Sequence, residues 1–209
     1  MSNKAAPPVS GIILAGGKSV RMGTDKALLK LGPYYIIERI SLVLRTMVDE
    51  IIIVTDRPER YAKYGDSTTF DIWPGNGPMG GIHAGLVQCS HSWALVTACD
   101  LPFISTSVGR LLMRCAADYD VVVPRYQGYL ESLYAMYNKS CIEIFEQHLT
   151  QGLVKINRLY EEFNTRYLEE EEMLAVEPHL ERVFFNLNTP EDIIKAQTWG
   201  NEPLKLQLD

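Results

Sequence analysis

Short apolar runs alternate with helix-like segments along nearly the whole chain, and few folds are compatible with that alternation. Four runs are apolar almost without interruption, as expected of strands covered on both faces: VSGIILA (9–15), EIIIVT (50–55), SWALVTA (92–98) and YDVVVP (119–124). Weaker strand predictions are STTFDIW (67–73), ESLYAMY (131–137) and VFFNLN (183–188). Helical spacing of apolar residues predicts helices over 33–47, 80–89, 105–117, 139–149 and from Thr189 onward. The chain is therefore predicted to be α/β, with a Rossmann-like three-layer αβα arrangement and a mostly parallel twisted sheet.

The composition is that of an ordinary globular protein and excludes several other classes. The 209 residues are 46% hydrophobic and 22% charged, which suits one core. The net charge of -6 argues against nucleic-acid binding, and no apolar run is long enough to cross a membrane. Four scattered cysteines without CxxC spacing predict reduced thiols and a cytoplasmic location. We expect a disordered lead over 1–8, one domain over 9–199 and a tail over 200–209.

The first strand is followed by LAGGKSVRMGTDKALL, residues 14–29. Two adjacent glycines leave backbone N–H groups open to an anion, and Lys18, Arg21 and Lys26 can neutralise a polyphosphate. A solvated surface loop is the alternative interpretation. A Walker A loop is also an alternative, but its first glycine would fall on Ile12, and the dinucleotide pattern GxGxxG is absent.

Three more segments follow predicted strands and so belong at the same edge of the sheet, where ligands of open α/β folds bind. DIWPGNGPMGGI (71–82) is a glycine- and proline-rich loop with exposed backbone that suits a base or ribose, or a plain connection. Asp100 directly follows a buried strand and suits Mg²⁺ beside substrate phosphates, or it caps a turn. Asn186 and Asn188 suit a second substrate, or only turn formation.

Taken together, these motifs resemble the molybdenum cofactor guanylyltransferases of the nucleotidyltransferase superfamily. The first stretch is similar to the signature LAGGxSxRMGxDK, and the resemblance continues through PGNGPMGGI, CDLPF, ESLYAMY and FNLNTPEDI. It covers residue 11 to about residue 197, so the 9–199 region is expected to be one nucleotidyltransferase domain. One departure is visible, because many relatives have proline where this chain has Ser132 between Glu131 and Leu133.

The resemblance implies a reaction in which GMP passes from GTP to Mo-bound molybdopterin, releasing pyrophosphate and forming molybdopterin guanine dinucleotide. The implied backbone contacts to the nucleotide are at Leu14, Ala15 and Gly16, the implied phosphate lysine is Lys26, and Asp71 matches a guanine-nucleotide contact. Asp100 matches the Mg²⁺ ligand, and Asn186 and Asn188 lie on the pterin side. Loop chemistry and the resemblance together give the predicted nucleotide-binding set: Leu14, Ala15, Gly16, Gly17, Lys18, Ser19, Lys26, Asp56, Asp71, Gly77, Pro78, Gly80, Gly81 and Asp100.

The expected chemistry needs no strong general base, because the attacking phosphate oxygen is already ionised. Lys26, Arg21 and Asp100 are the predicted catalytic residues, which position the phosphates and offset their charge with Mg²⁺. The alternatives are a cytidylyltransferase or another NTP transferase of the superfamily, and a non-catalytic nucleotide-binding adaptor. Other molybdenum-cofactor biosynthesis proteins and molybdoenzyme acceptors are the expected protein partners, with no nucleic acid and no membrane.

Overall fold

The computed structural model describes residues 7–16, 25–202 and 204. Its main sheet has the order β10-β7-β9-β6-β1-β4-β5, with β8 paired to β7. The strands are β1 (Val9–Leu14), β4 (Glu50–Val54), β5 (Ser67–Thr69), β6 (Trp93–Ala98), β7 (Val121–Tyr126), β8 (Tyr129–Leu130), β9 (Tyr134–Asn138) and β10 (Thr165–Leu168). A separate antiparallel pair joins β2 (Lys30–Leu31) to β3 (Tyr34–Tyr35). Within the main sheet β9 runs antiparallel to both neighbours, whereas β1 pairs in parallel with β4 and β6, so the mostly parallel sheet is confirmed.

The helices cover both faces of this sheet, as predicted for a three-layer fold. They are α1 (Ile36–Leu44), α2 (Pro58–Tyr61), α3 (Pro78–Gln88), α4 (Thr106–Arg114), α5 (Cys141–Thr150), α6 (Glu170–Leu174), α7 (Leu180–Val183) and α8 (Pro190–Gly200). One core contains side chains of α1, α4 and α8, and a second contains side chains of α3 and α5. Helix α3 packs closely on β1, because a Cβ on Gly85 would meet Ile12 Cγ2 at 2.6 Å.

The second half of the chain contains the largest departures from the predicted elements. VFFNLN is not a strand, because Val183 ends α7 and the following residues run as irregular chain. Phe185 packs edge-to-face on Trp199 of α8, with 5.0 Å between ring centroids, so it is covered by a helix rather than paired in the sheet. The predicted strand over 67–73 is shorter, because pairing stops at Thr69.

The cysteines agree with the prediction of reduced thiols. All four are free, and Cys89, Cys99 and Cys141 are buried. Among the residues that the structure describes, no helix combines the length and the apolar character needed to span a bilayer.

Candidate active site

Several predicted residues lie at one edge of the sheet, where its parallel strands end. Gly16 closely follows β1, Asp56 follows β4, Asp71 follows β5 and Asp100 follows β6. Four predicted residues of the first loop lie outside the described part of the chain and stay predictions: Gly17, Lys18, Ser19 and Arg21.

Lys26 and Asp100 are brought together through the backbone of Leu187. The Lys26 ammonium donates a hydrogen bond to the Leu187 carbonyl oxygen. The Leu187 amide donates to the Asp100 carbonyl oxygen at 2.9 Å. The positive charge of Lys26 also acts on the Asp100 carboxyl group, whose pKa it lowers against the larger effect of burial. One residue of the C-terminal segment therefore contacts both of these predicted catalytic residues.

The Asp100 carboxylate has the character expected of a metal ligand. Burial raises its pKa, opposed by a backbone hydrogen bond and by Lys26. Its Oδ1 atom is buried and has no hydrogen-bond partner among the described residues. A divalent cation would satisfy this oxygen, so the carboxylate fits the predicted metal. Within the described ranges, no group of three His, Cys, Asp or Glu side chains is arranged to hold a metal ion. Mg²⁺ typically takes one or two carboxylates together with substrate phosphates and water.

Asp25 anchors the start of the short 3-10 helix Lys26–Leu28. Its Oδ2 accepts from the Tyr61 hydroxyl at 2.5 Å and from Arg60 Nη1 at 3.0 Å. Arg57 Nη1 lies 3.9 Å from the same oxygen. These contacts tie the residue before Lys26 to the segment after β4. Asp25 is a positioning residue that the sequence analysis did not single out, although its motif ends in Asp-Lys.

Glycines in the predicted nucleotide-binding loop and at the start of α3 allow close packing as well as exposing backbone. A Cβ on Gly80 would meet Asp71 Oδ1 at 2.6 Å, so this glycine lets the carboxylate approach α3. The same Asp71 oxygen accepts from the Trp73 amide at 2.8 Å, which orders the loop. Gly77 has φ +65, a left-handed conformation that suits glycine.

The remaining nucleotide-side residues differ in exposure. Leu14 packs against α3, where a Cβ on Gly81 would meet its Cδ2 at 3.1 Å. Ala15 is buried, and its amide donates to the Val54 carbonyl oxygen at 2.9 Å. Gly16 and Pro78 are exposed at the edge. Asp56 is also exposed, and its side chain lies 4.0 Å from Arg57 Nε, so the structure assigns it no buried contact.

Glu131 is the residue that the sequence analysis missed. The sequence shows it only beside a departure from a family pattern, yet in the fold the charge of Asp100 acts on it. Burial, and then the negative charge of Asp100, raise the pKa of Glu131 to about 7. Its position at the start of the predicted strand over 131–137 is the only signal in the sequence, because the antiparallel direction of β9 places the beginning of that strand at the ligand edge.

Replacing Glu131 with Gln is expected to change how stability depends on pH. Because the folded-state pKa of about 7 exceeds the ordinary value of 4.5, protonated Glu131 stabilises the fold below about pH 4.5. This stabilisation is lost as the pH rises through about 7. Thermal melts with a chelator present should therefore show the melting temperature of the wild type falling relative to that of Glu131→Gln as the pH rises from about 5 to about 8. Glu161 is exposed, so Glu161→Gln should show the same pH dependence of the melting temperature as the wild type. If the melting temperatures of Glu131→Gln and the wild type changed in parallel with pH, the raised pKa assigned to Glu131 would be contradicted.

The segment around Leu187 is itself held by the first turn of α8. Asp192 Oδ2 accepts from the Asn188 amide at 2.9 Å and from the Thr189 amide at 2.8 Å. The Asp192 amide completes a capping box by donating to the Thr189 hydroxyl at 3.2 Å. The Asn186 side chain donates to the Phe184 carbonyl oxygen at 3.3 Å, and Asn188 is exposed at the site. The predicted capped helix is confirmed, and its cap holds the residue next to Leu187.

Asp192→Ala is expected to lower kcat about tenfold, because the Leu187 backbone that holds Lys26 and Asp100 loses its support. Asp192→Asn should retain most activity, since its amide oxygen can still accept one of these bonds. Glu38→Ala is the matched control, because Glu38 accepts from the Tyr35 amide in the capping box of α1, away from this segment. Both alanine variants should lose stability on the order of 1 kcal/mol. Steady-state kinetics and thermal melts test the difference, and equal activity losses would refute a positioning role.

Comparisons with known proteins agree with this geometry. The family model of the MobA-like NTP transferase domain matches residues 11–169. A probable molybdenum cofactor guanylyltransferase of Pelotomaculum thermopropionicum is 39% identical over 188 residues, covering 90% of this chain and 91% of that protein. The molybdenum cofactor guanylyltransferase of Desulfosudis oleivorans is 36% identical over 191 residues, covering 90% and 94%. The crystal structure of molybdopterin-guanine dinucleotide biosynthesis protein A from Archaeoglobus fulgidus superposes with a TM-score of 0.78 at 27% identity, covering 91% of this chain and 97% of that one. The chain therefore belongs to the molybdenum cofactor guanylyltransferase family, nucleotidyltransferase enzymes built on a MobA-like NTP transferase domain.

Proposed function

We propose that this protein transfers GMP from GTP to Mo-bound molybdopterin and releases pyrophosphate. The observation that supports the proposal is the bridge through Leu187, whose carbonyl oxygen accepts from the Lys26 ammonium and whose amide donates to the Asp100 backbone carbonyl oxygen. The charge of Lys26 also acts on the Asp100 carboxyl group. An ammonium group and a carboxylate in that relation suit a triphosphate bound with a divalent cation. Family membership supports the same reaction.

In the proposed reaction, an ionised phosphate oxygen of the acceptor attacks the α-phosphorus of GTP. A new phosphorus–oxygen bond forms while the bond to the bridging oxygen of the β-phosphate breaks, and pyrophosphate leaves with that electron pair. Lys26 stays protonated and places a fixed positive charge against the phosphate oxygens. Asp100 would hold Mg²⁺, which supplies neutralisation of phosphate charge when it is bound. The main work of the protein is positioning and charge compensation.

Guanine is the proposed base, with Asp71 as its contact. The Asp71 carboxylate suits this role, because guanine presents N–H donors on its Watson–Crick edge and a carboxylate is an acceptor. The bond from the Trp73 amide and the close approach of Gly80 hold that carboxylate at the start of α3. A cytidylyltransferase is the second candidate function, since the remaining features of the site concern phosphate rather than base.

The deciding experiment follows pyrophosphate release and dinucleotide formation by the purified protein with Mg²⁺ and molybdopterin. We expect pyrophosphate with GTP only when molybdopterin is present, with the guanine dinucleotide detected by mass spectrometry. A higher kcat/KM with CTP than with GTP would replace the proposal by a cytidylyltransferase. Nucleotide binding without pyrophosphate release would instead support a non-catalytic adaptor.

We further propose that the protein acts in the cytoplasm and exchanges its pterin substrate and product with other proteins of molybdenum cofactor biosynthesis. The four free cysteines are compatible with a reducing compartment. The exposed asparagine Asn188 and the neighbouring Asn186 are the proposed pterin-side residues, since they flank the residue that holds Lys26 and Asp100. We also propose a single catalytic domain over 9–199, with 1–8 and 200–209 as flanking segments.

A further inference from the structure

We propose that the exposed ring of Tyr129, at the tip of the β7–β8 hairpin, is the surface on which the flat heteroaromatic ring of the acceptor stacks. This inference rests on the proposed function, because it assigns one part of the acceptor substrate to one side chain. Tyr129 is 76% exposed. Most other large aromatic side chains in the described part of the chain are buried or partly buried.

The hairpin has a tight turn with an unusual conformation. Gln127 and Gly128 link the two strands and have φ values of 49 and 80, both in the left-handed region. Gln127 is the only residue other than glycine with a positive φ in the described part of the chain. A turn with two left-handed residues matches the twist of a hairpin, but a glutamine side chain does not favour this conformation. Outliers of this kind cluster at functional sites.

Contacts from the neighbouring segment after β10 brace the hairpin. The Gln127 amide donates to Glu170 Oε2 at 3.0 Å, and its side-chain amide donates to the Tyr126 hydroxyl at 3.0 Å. At the base of the hairpin, Arg125 Nη1 donates to Glu169 Oε1 at 2.7 Å. These bonds fix the backbone on which Tyr129 is carried. A side chain carried on a braced backbone loses less conformational freedom when a ligand binds than one on an unbraced loop.

The pairing register determines which way Tyr129 faces. Tyr126 pairs with Tyr129, and the Glu131 amide continues the ladder by donating to the Pro124 carbonyl oxygen at 2.9 Å. Because side chains alternate along a strand, Tyr129 and Glu131 share one face, while Leu130 packs into the core beneath α3 and α5. Glu131 lies within electrostatic reach of Asp100, so the shared face is the one toward the site.

Tyr126, which is paired with Tyr129, also indicates which way this face of the hairpin points. Directly paired residues of an antiparallel ladder lie on the same face, so Tyr126 shares the face of Tyr129. The Tyr126 ring packs on Phe184 with 5.1 Å between centroids. Phe184 lies two residues before Asn186, in the segment that leads to Leu187. The face that carries Tyr129 therefore continues into the segment that holds Lys26 and Asp100.

Strand spacing assigns Tyr129 to the acceptor rather than to the nucleotide base. Neighbouring strands lie about 4.8 Å apart, so β5, which precedes Asp71, is about 14 Å from β6, which precedes Asp100. The hairpin extends β7, which lies on the opposite side of β6 at about 10 Å. If the phosphates lie at Asp100 and the base at Asp71, the ring at Tyr129 must belong to the other substrate. Stacking on a π face requires no particular hydrogen-bond pattern and suits a pterin ring.

Tyr129→Ala is expected to raise the KM for molybdopterin about tenfold, the scale of one lost stacking contact. The KM for GTP and kcat at saturating acceptor should stay within about twofold, since phosphate contacts are untouched. Tyr129→Trp should restore the acceptor KM because it keeps an aromatic face. Phe70→Ala is the matched control, because Phe70 is 57% exposed but follows β5 on the far side of Asp100, so its acceptor KM should be unchanged.

A binding measurement without turnover separates this proposal from the proposed function. We would titrate protein into pterin-6-carboxylate and follow quenching of pterin fluorescence, with a chelator present. Saturable quenching by the wild type that is lost in Tyr129→Ala and regained in Tyr129→Trp supports stacking. Unchanged quenching and unchanged acceptor KM in Tyr129→Ala would overturn it while GMP transfer by the wild type continues. Absence of GMP transfer by the wild type would overturn the proposed function instead.

Discussion

Asp100→Asn should lower turnover by at least about a hundredfold and yet make the metal-free protein more resistant to heat at pH 8. The activity loss follows from the proposed role of the carboxylate as the protein's ligand for a divalent cation. The gain in stability follows from burial, which raises the pKa of Asp100 and therefore penalises its ionised form. Oδ1 has no hydrogen-bond partner within the described residues, so Asn is expected to lose little by comparison.

The sign of the pH effect is specific. Since the folded-state pKa of Asp100 is raised above 3.8, the protonated carboxyl group stabilises the fold only at low pH, and that stabilisation is lost as the pH rises through the folded-state pKa. The difference in stability between metal-free Asp100→Asn and the wild type should therefore grow from about pH 4 to pH 8. Each kcal/mol of this difference in unfolding free energy corresponds to about 2–4 °C in Tm.

Melts with a chelator and with added Mg²⁺ and GTP test this account. The ligands should raise the Tm of the wild type but not that of Asp100→Asn, because binding to the folded state alone stabilises it. Asp118→Asn, at an exposed position, should behave as the wild type in every assay. Full activity in Asp100→Asn, or equal stabilisation of both proteins by Mg²⁺ and GTP, would exclude the proposed metal role.

Lys26→Met should also lower kcat by at least about a hundredfold, because a fixed positive charge against the transferred phosphate is lost. The variant keeps a flexible apolar stem of similar length, so packing changes little. It also leaves the Leu187 carbonyl oxygen without its ammonium partner. Because Lys26 lowers the pKa of Asp100, the rise of activity with pH should shift to higher pH in the residual activity of Lys26→Met.

Lys30→Met is the matched control for Lys26→Met. Lys30 lies four residues further along, is exposed, and has its ammonium 5.4 Å from the centroid of the Tyr35 ring. Its replacement should leave kcat and the pH profile unchanged. Single-turnover assays at saturating GTP separate a chemical defect from weak binding. A loss of activity that saturating GTP restores fully would show that Lys26 acts only in nucleotide affinity, against the role proposed here.

Much of the fold could be predicted because several strands are buried on both faces. β1, β4, β6 and most of β7 contain nearly uninterrupted apolar runs, and such runs have few alternatives in a globular protein. β10, with the sequence TRYL, was not predicted, because a short strand at the sheet end has a mixed pattern. VFFNLN was predicted wrongly for the opposite reason, since its apolar residues satisfy a strand pattern but are buried by α8 and the helical core.

The residue types of the candidate site were readable from the chain alone. A lysine after a glycine-rich loop, an aspartate directly after a buried strand and asparagines before a capped helix each suggest chemistry by their local position, and family resemblance connected them. Local position also predicted the capping box of α8, whose bonds span only a few residues. These conclusions depend on near neighbours in sequence, which is why they could be made before the fold was known.

Tertiary structure alone decided how those groups meet. Lys26 meets the backbone of Leu187 across a separation of 161 residues, and backbone atoms leave no signature in sequence. The same backbone also contacts Asp100. The raised pKa of Glu131 depends on burial and on the charge of Asp100, both set by elements distant in the chain. The side of the hairpin to which Tyr129 points depends on the pairing register of β7 and β8. Local order follows from short-range sterics and hydrogen bonds, whereas desolvation and charge–charge energies depend on distances that exist only once the chain has folded.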